Sequence, residues 1–419
     1  MMRRSRVGRS RPEPSIYSAA LALERHELRH RDGRRLFVYG ELRGSLATES
    51  PPGNAASDLH QRLDRLTGDW IAISPARNVR PNLPDEPPSA AGDPTGASAS
   101  PADATAACPF CAGGAEVPFP YDAAVFENHF PSFVEAPPPV ADDPRISPSH
   151  GRCEVVLYTS RHDASLGTLE PMELARLIAI WRDRSAALWA DDRHRHVMVF
   201  ENRGPLVGAT IGHPHGQIYA FDRLPPRIAA RVAALEAGRA ASGRCVTCDV
   251  IADDLAEPAR RVVEADGFTV AVPFAAHFPF EVHVRTRRHG AGRLADLDAA
   301  ELRSLAAALR SVAVRYDALF GFDLPYMMVA LEAPAGVPDW HLAFEFLPIH
   351  RTAQLLKIRA SVETATGLFI NDTLPEASAA ALRSLAVATP EEADVPPVAA
   401  APLRGPGAPL PASPHVGAA

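Results

Sequence analysis

The chain has 419 residues, 46 % of them hydrophobic, enough to bury one large core or two ordinary ones. Its 43 Lys and Arg against 50 Asp and Glu leave a net charge of -7, which excludes the basic footprint that nucleic acid or an anionic membrane would need. A small anionic substrate would have to be met by local arginines.

The basic start MMRRSRVGRSRPEPS lacks the apolar run of a signal peptide, and no stretch reaches the ~18 apolar residues of a spanning helix. A soluble, cytoplasmic protein is expected, without membrane or nucleic-acid partners. Residues 1–55, Arg-rich and then rich in Ser, Pro and Gly, read as a disordered extension. Residues 84–107 (PDEPPSAAGDPTGASASPADATAA) read as a flexible insert, and the Pro/Ala-biased residues 387–419 as a disordered tail. Between them lie a half over 56–235 and a half over 236–386. Short β-branched runs such as CEVVLYT and HVMVFEN alternate with helical patterns, EPMELARLIAIWRDRSAALWA and AAELRSLAAALRSVAVRYDALF. Apolar spacing of three and four in those helices means a face packed on a sheet, so the class is mixed α and β.

The halves repeat one another. EVVLYTSRH (Glu154 to His162) and EVHVRTRRH (Glu281 to His289) agree at five of nine positions, and FENHFP upstream of the first matches FAAHFP upstream of the second. A C-x-x-C pair stands further upstream of each: Cys108 and Cys111, then Cys245 and Cys248. His162 precedes His213 by 51 residues and His289 precedes His341 by 52, a difference assigned to one extra residue between His289 and the following helix. In a reducing compartment such cysteines point to metal, with a redox pair as the rival reading. Two thiolates and two imidazoles suit a closed tetrahedral zinc site. Cys108, Cys111, His162 and His213 would form one, and Cys245, Cys248, His289 and His341 a second.

If His213 is held by metal, His215 in GHPHGQIYAF keeps a fixed backbone and a free ring. A neutral imidazole attacks phosphorus well provided its other nitrogen is tied to an acceptor, and the His-Pro-His turn offers a carbonyl. Gln217, on the same strand face, can donate an amide hydrogen to a phosphoryl oxygen. The second copy has Ala343 and Glu345 at these positions, so one catalytic centre per chain is expected.

The segment ENRGPLVGATIGHPHGQIYA resembles the active-site segment of the galactose-1-phosphate uridylyltransferases (UDP-glucose–hexose-1-phosphate uridylyltransferases), a branch of the histidine-triad superfamily. The resemblance runs over roughly residues 60–385 and includes LTGDWIAISPARNVRP, CPFC, VFENHFPS and GLFINDTLPE. It implies an α+β fold of two tandem histidine-triad-like halves, with antiparallel sheets and helices packed on them, the second half degenerate. It further implies a ping-pong exchange in which His215 takes the uridylyl group from UDP-glucose and passes it to galactose 1-phosphate, as in galactose metabolism. Arg77 and Arg80 would contact nucleotide phosphates and Asn128 the uridine. Asn202, Gly208, Thr210 and Gln217 would surround the phosphoryl group, and Glu363, with Lys357 nearby, would face the hexose. Zn2+ is the implied cofactor and a homodimer the implied assembly, with active sites near the subunit contact. Two other functions fit the residues: a nucleotidyltransferase or phosphorylase using an adenine nucleotide, and a zinc-stabilised nucleotide-binding protein without turnover.

Overall fold

Every residue of the run GRCEVVL is buried, as a strand covered on both faces requires. This strand, β7 (Gly151–Leu157), lies in an eleven-stranded sheet in a computed structural model that describes residues 23–46, 58–79 and 108–385. The first half supplies β1 (Arg25–Arg29), β2 (Arg35–Tyr39), β5 (Ala123–Glu127), β7, β8 (His196–Arg203) and β9 (His215–Phe221). The second supplies β10 (Arg261–Ala265), β11 (Phe268–Ala271), β12 (Val282–Thr286), β13 (Tyr326–Leu331) and β14 (Ala343–Pro348). A small separate sheet joins β3 (His60–Leu63), β4 (Trp70–Ile73) and β6 (Ile146–Pro148).

The order of the large sheet is β1-β2-β5-β7-β9-β8-β13-β14-β12-β11-β10, with antiparallel neighbours throughout. Outward from the seam between β8 and β13, the path β8-β9-β7-β5 is matched by β13-β14-β12-β11. The repeat seen in the sequence is therefore built as one continuous antiparallel sheet with two related halves, an α+β architecture.

Helices α1 (Pro171–Trp189) and α4 (Ala299–Leu319) cover one face of this sheet. In α1, Leu174, Leu177, Ile178, Trp181 and Leu188 are buried, the spacing that one helix face demands. At its start the Glu170 amide donates to the Glu173 carboxylate at 3.0 Å, while Asp298 caps α4 by accepting from the Ala300 and Glu301 amides, both at 2.8 Å. One core cluster draws on both halves, uniting Trp181 and Val199 with Tyr316 and Phe344. Between these helices run α2 (Pro226–Ser242) and α3 (Val246–Ala256), and after β14 come α5 (Ser361–Thr366) and α6 (Pro375–Ser384).

Three sequence expectations need correction. Residues 23–46 of the supposed disordered extension include the hairpin β1–β2, turned at Gly33 with φ +87°. Its run LFVY is buried on both faces: Phe37 and Tyr39 join the main core, while Leu36 and Val38 pack beneath the Cys108–Cys111 turn. At about 1.5–3 kcal/mol per large apolar side chain, that burial outweighs the basic composition around it. The boundary placed at 235/236 falls inside α2, which starts after Pro225 and runs unbroken to Gly243. The insert 84–107, the tail 387–419 and residues 1–22 and 47–57 lie outside the described residues.

The third correction concerns register. Leu157 stands opposite His215 and Arg285 opposite Ala343, so the strand spacing is the same in both copies (215 − 157 = 343 − 285 = 58). His162 comes five residues after Leu157, but His289 only four after Arg285. The nine-residue match therefore sets the strands one residue out of register and pairs side chains from opposite faces. The extra residue expected after His289 is present: Glu170, the N-cap of α1, comes eight residues after His162 (170 − 162), and Asp298, the N-cap of α4, nine after His289 (298 − 289).

Candidate active site and metal centres

Both four-residue groups that the sequence order singled out are assembled. Within each, the possible ligand atoms lie within 4.8 Å of one another. In the first, Cys111 Sγ is 3.3 Å from His162 Nδ1 and 3.6 Å from His213 Nδ1. Zn–S bonds of about 2.3 Å and Zn–N bonds of about 2.0–2.1 Å at tetrahedral angles put S and N roughly 3.6 Å apart, so the donor set and its spacing fit zinc. His213 Nε2–H donates to the Thr159 carbonyl at 2.8 Å, which leaves Nδ1 as the ligating atom.

The second group opens at the start of α3, with Cys248 Sγ 3.4 Å from His289 Nδ1 and 3.3 Å from His341 Nε2. Here His341 Nδ1–H donates to the Thr286 carbonyl at 2.8 Å, so the ring presents Nε2 instead. The register correction explains the swap. Tyr158 and Thr286 hold the same ladder position, their amides donating to Pro214 and Leu342 respectively. His213 reaches the carbonyl one residue beyond Tyr158, whereas His341 needs only that of Thr286 itself, within reach of the ring nitrogen nearer the backbone. This second group is also more open, with His289 exposed and both cysteines half-buried.

His215 follows the first group at the start of β9, beside a cavity of about 360 Å³. Its Nδ1–H donates to the His213 carbonyl at 2.8 Å, fixing the tautomer in which Nε2 carries the lone pair. Burial pulls this imidazole below its ordinary pKa, which keeps the ring neutral at pH 7. The Phe110 ring stands edge-on to it, with centroids 5.1 Å apart. Gly216 is required next to it: a Cβ there would come within 2.5 Å of the Tyr158 hydroxyl and 2.9 Å of the Phe200 carbonyl.

Gln217 lines the same cavity, and its amide has a fixed orientation. The Phe130 amide donates to Asn128 Oδ1 at 2.8 Å, so the other end of Asn128 must be its NH2 group, which donates to Gln217 Oε1 at 3.3 Å. Gln217 therefore has its own NH2 group left to give. Arg77, Asn128, Asn202, Gly208 and Thr210 all line this cavity. Arg77 also donates to the Phe130 carbonyl at 3.1 Å. Arg80 lies outside the described residues. Lys357 and Glu363 are paired with each other and buried, but they do not line the cavity of their own chain.

Sequence reasoning passed over Phe110, Glu116 and His129, which also form the cavity wall. The first two sit in the C-x-x-C turn and the loop after it, where the cysteines drew the attention. It also passed over the Tyr158 hydroxyl, which donates to the buried Glu201 carboxylate at 3.2 Å beneath the nucleophile strand. In the second copy the matching sheet face is filled by ion pairs. Glu345 accepts from Arg231 at 2.6 Å, His283 meets Glu281 at 2.7 Å, and Arg285 meets Asp254 at 3.2 Å. The imidazole on that face, His283, has both ring nitrogens engaged, by Glu281 and by Arg285.

Comparison with known proteins agrees with this architecture. Residues 52–225 match the family model "Galactose-1-phosphate uridyl transferase, N-terminal domain", and residues 233–392 match the corresponding C-terminal domain. A galactose-1-phosphate uridylyltransferase of Thermotoga maritima is 37 % identical over 337 residues, covering 78 % of this chain and 99 % of that protein. A solved uridylyltransferase structure superposes with a TM-score of 0.66 at 29 % identity, covering 78 % of this chain and 97 % of that one. An ADP-glucose phosphorylase from Arabidopsis thaliana shares the fold, with a TM-score of 0.58 at 22 % identity over 79 % of this chain and 100 % of that one. With both halves matched and a close relative covered almost end to end, the chain belongs to the galactose-1-phosphate uridylyltransferase family of nucleotidyltransferases.

Proposed function

We propose that the protein moves a uridylyl group from UDP-glucose to galactose 1-phosphate through a covalent uridylyl-His215 intermediate. The observation that carries this reading is the His215 ring, locked by the His213 carbonyl with Nε2 as its free lone pair beside the cavity. Nε2 attacks the α-phosphorus, the bond from phosphorus to the bridging oxygen breaks, and glucose 1-phosphate leaves with the electron pair. A phosphate oxygen of galactose 1-phosphate then attacks the same phosphorus, and the N–P bond breaks to give UDP-galactose. No separate base is needed in either step, because both nucleophiles already hold a free lone pair. Gln217, oriented by Asn128, donates to the phosphoryl oxygen whose charge grows in each transition state. Arg77 supplies positive charge for the nucleotide phosphates, joined by Arg80 in the same motif, while Asn202, Gly208 and Thr210 complete the phosphoryl surroundings.

Zinc held by Cys108, Cys111, His162 and His213 would have all its positions filled by protein, so it would brace the His-Pro-His turn and leave the chemistry to His215. The second group would hold a structural zinc in the same way.

Lys357 and Glu363 act on the hexose from a partner subunit in this reading. The segment around them exposes Leu355, Ile358, Leu368, Ile370 and Leu374, an apolar surface suited to a homodimer contact. No helix among the described residues is long and apolar enough to cross a membrane.

The test is an exchange assay with galactose 1-phosphate and either UDP-glucose or ADP-glucose. UDP-galactose formed from the first, at a rate well above any product from the second, is the result expected. Faster turnover of ADP-glucose would replace the reading with an adenine-nucleotide enzyme, and no turnover of either would make it a binding protein.

A further inference from the structure

The loop that returns from the first Cys turn carries a carboxylate into the cavity wall. Glu116 is buried there, its amide donating to the Pro109 carbonyl at 3.1 Å, one residue from the Phe110 ring that flanks His215. An acid in a pocket that must hold phosphates looks misplaced, because it repels them. Its setting resolves the difficulty.

Arg34 Nη1 donates to Glu116 Oε2 at 2.9 Å and to the Glu127 carbonyl at 3.0 Å, while its Nε donates to Asp32 at 2.8 Å. This arginine belongs to the β1–β2 hairpin, upstream of the residues that the family models match. It holds Glu116 Oε2 in place. Among the described residues, the charged partner recorded for Oε1 is His129 Nδ1 at 3.9 Å, beyond hydrogen-bond reach. His129 lines the cavity too and directly follows Asn128 in the chain. One charged acceptor is thus held in the wall with capacity to spare.

Such an acceptor suits a hydroxyl pair, which gives charge-assisted O–H···O bonds. The nearby aromatic rings, Phe110 and Phe126 with centroids 5.6 Å apart, offer the apolar surface that a nucleoside needs. We infer that Glu116, steadied by Arg34 of the N-terminal hairpin and flanked by His129, binds the ribose 2′,3′-diol of the nucleotide. The inference rests on the nucleotide-transfer reading above. Glu116 is then a specificity residue for ribonucleotides, and the hairpin is part of the substrate site.

Calorimetric titration with UDP, 2′-deoxy-UDP, 3′-deoxy-UDP and ADP tests it, because none of these carries a hexose. At least one deoxy analogue should bind the unaltered protein roughly tenfold more weakly than UDP, the scale of one lost charge-assisted hydrogen bond. In Glu116→Gln, which keeps the shape of the side chain, that gap should narrow to about threefold or less. The unaltered protein supplies the first half of the test without any variant. UDP and both deoxy analogues binding equally, or a gap that survives in Glu116→Gln, overturns the inference and leaves the transfer reading standing. ADP binding more tightly than UDP, with the gap measured between ADP and its deoxy forms, keeps the inference and overturns the uridine assignment. Binding of neither nucleotide overturns both.

Discussion

Removing the Asn128 side chain should cost the reaction rate a small, calculable factor. Asn128 is held by the Phe130 amide at 2.8 Å and in turn holds Gln217 at 3.3 Å, so its effect on the transition state passes through Gln217. Loss of a neutral orienting hydrogen bond is worth about 0.5–1.5 kcal/mol, or roughly 2- to 13-fold in kcat. Loss of the donor itself, in Gln217→Ala, is worth about 2.7–4 kcal/mol, or roughly 10²–10³-fold. The two changes touch one interaction, so they should not add: the double variant should turn over no more slowly than Gln217→Ala alone. Steady-state kcat for UDP-glucose exchange in the four proteins gives the cycle directly, with KM followed separately because Asn128 also lines the cavity. If Asn128→Ala lowers kcat as far as Gln217→Ala does, or if the two losses multiply, the orienting role is wrong.

Two further outcomes follow from the same structure. Elemental analysis should give about two zinc equivalents per chain, and replacing Cys245 and Cys248 by serine should remove one of them and lower the melting temperature while activity per folded molecule persists. A single equivalent, retained with unchanged melting in the double variant, would exclude the second centre. Glu201 gives a pH effect: burial pushes its carboxyl up to about 7, with Arg203 and the Tyr158 hydroxyl opposing only in part. The folded protein therefore keeps this proton at pH values where the unfolded chain has released it, so this group's contribution to stability falls as pH rises from about 4.5 to 7, by about 3 kcal/mol at most. Glu201→Gln cannot ionise, so its melting temperature relative to the unaltered protein should rise between pH 5 and pH 8. A difference that stays constant across that range would show that Glu201 is already ionised in the fold.

The sequence was most legible where a local rule has a fixed period or spacing. The helices α1 and α4 show their buried faces at three- and four-residue intervals, and the two Cys/His groups follow from order and repetition alone. The same holds for His215 and Gln217, two residues apart on a strand and so on one face. What escaped was set by tertiary context. The hairpin β1–β2 was hidden because RHELRHRDGRR reads as a basic tail until LFVY finds a core on both faces. Glu116 has no pattern around it, only a place in a wall that exists once the chain has folded. The repeat itself misled by one residue, because identity of EV and RH at the ends of two strands says nothing about which ladder positions they occupy. Lys357 and Glu363 show another kind of limit. Within one chain they pair with each other and are not among the residues lining the cavity.

The central claim is that His215 carries the nucleotide during transfer. The most direct measurement is the intact mass of the protein after incubation with UDP-glucose alone, with no acceptor, for the unaltered chain and for His215→Ala. One uridylyl group per chain on the unaltered protein, discharged by galactose 1-phosphate and absent from the variant, is the result expected. A variant that still gains the group, or an active unaltered protein that never gains it when substrate is in excess, would contradict the account.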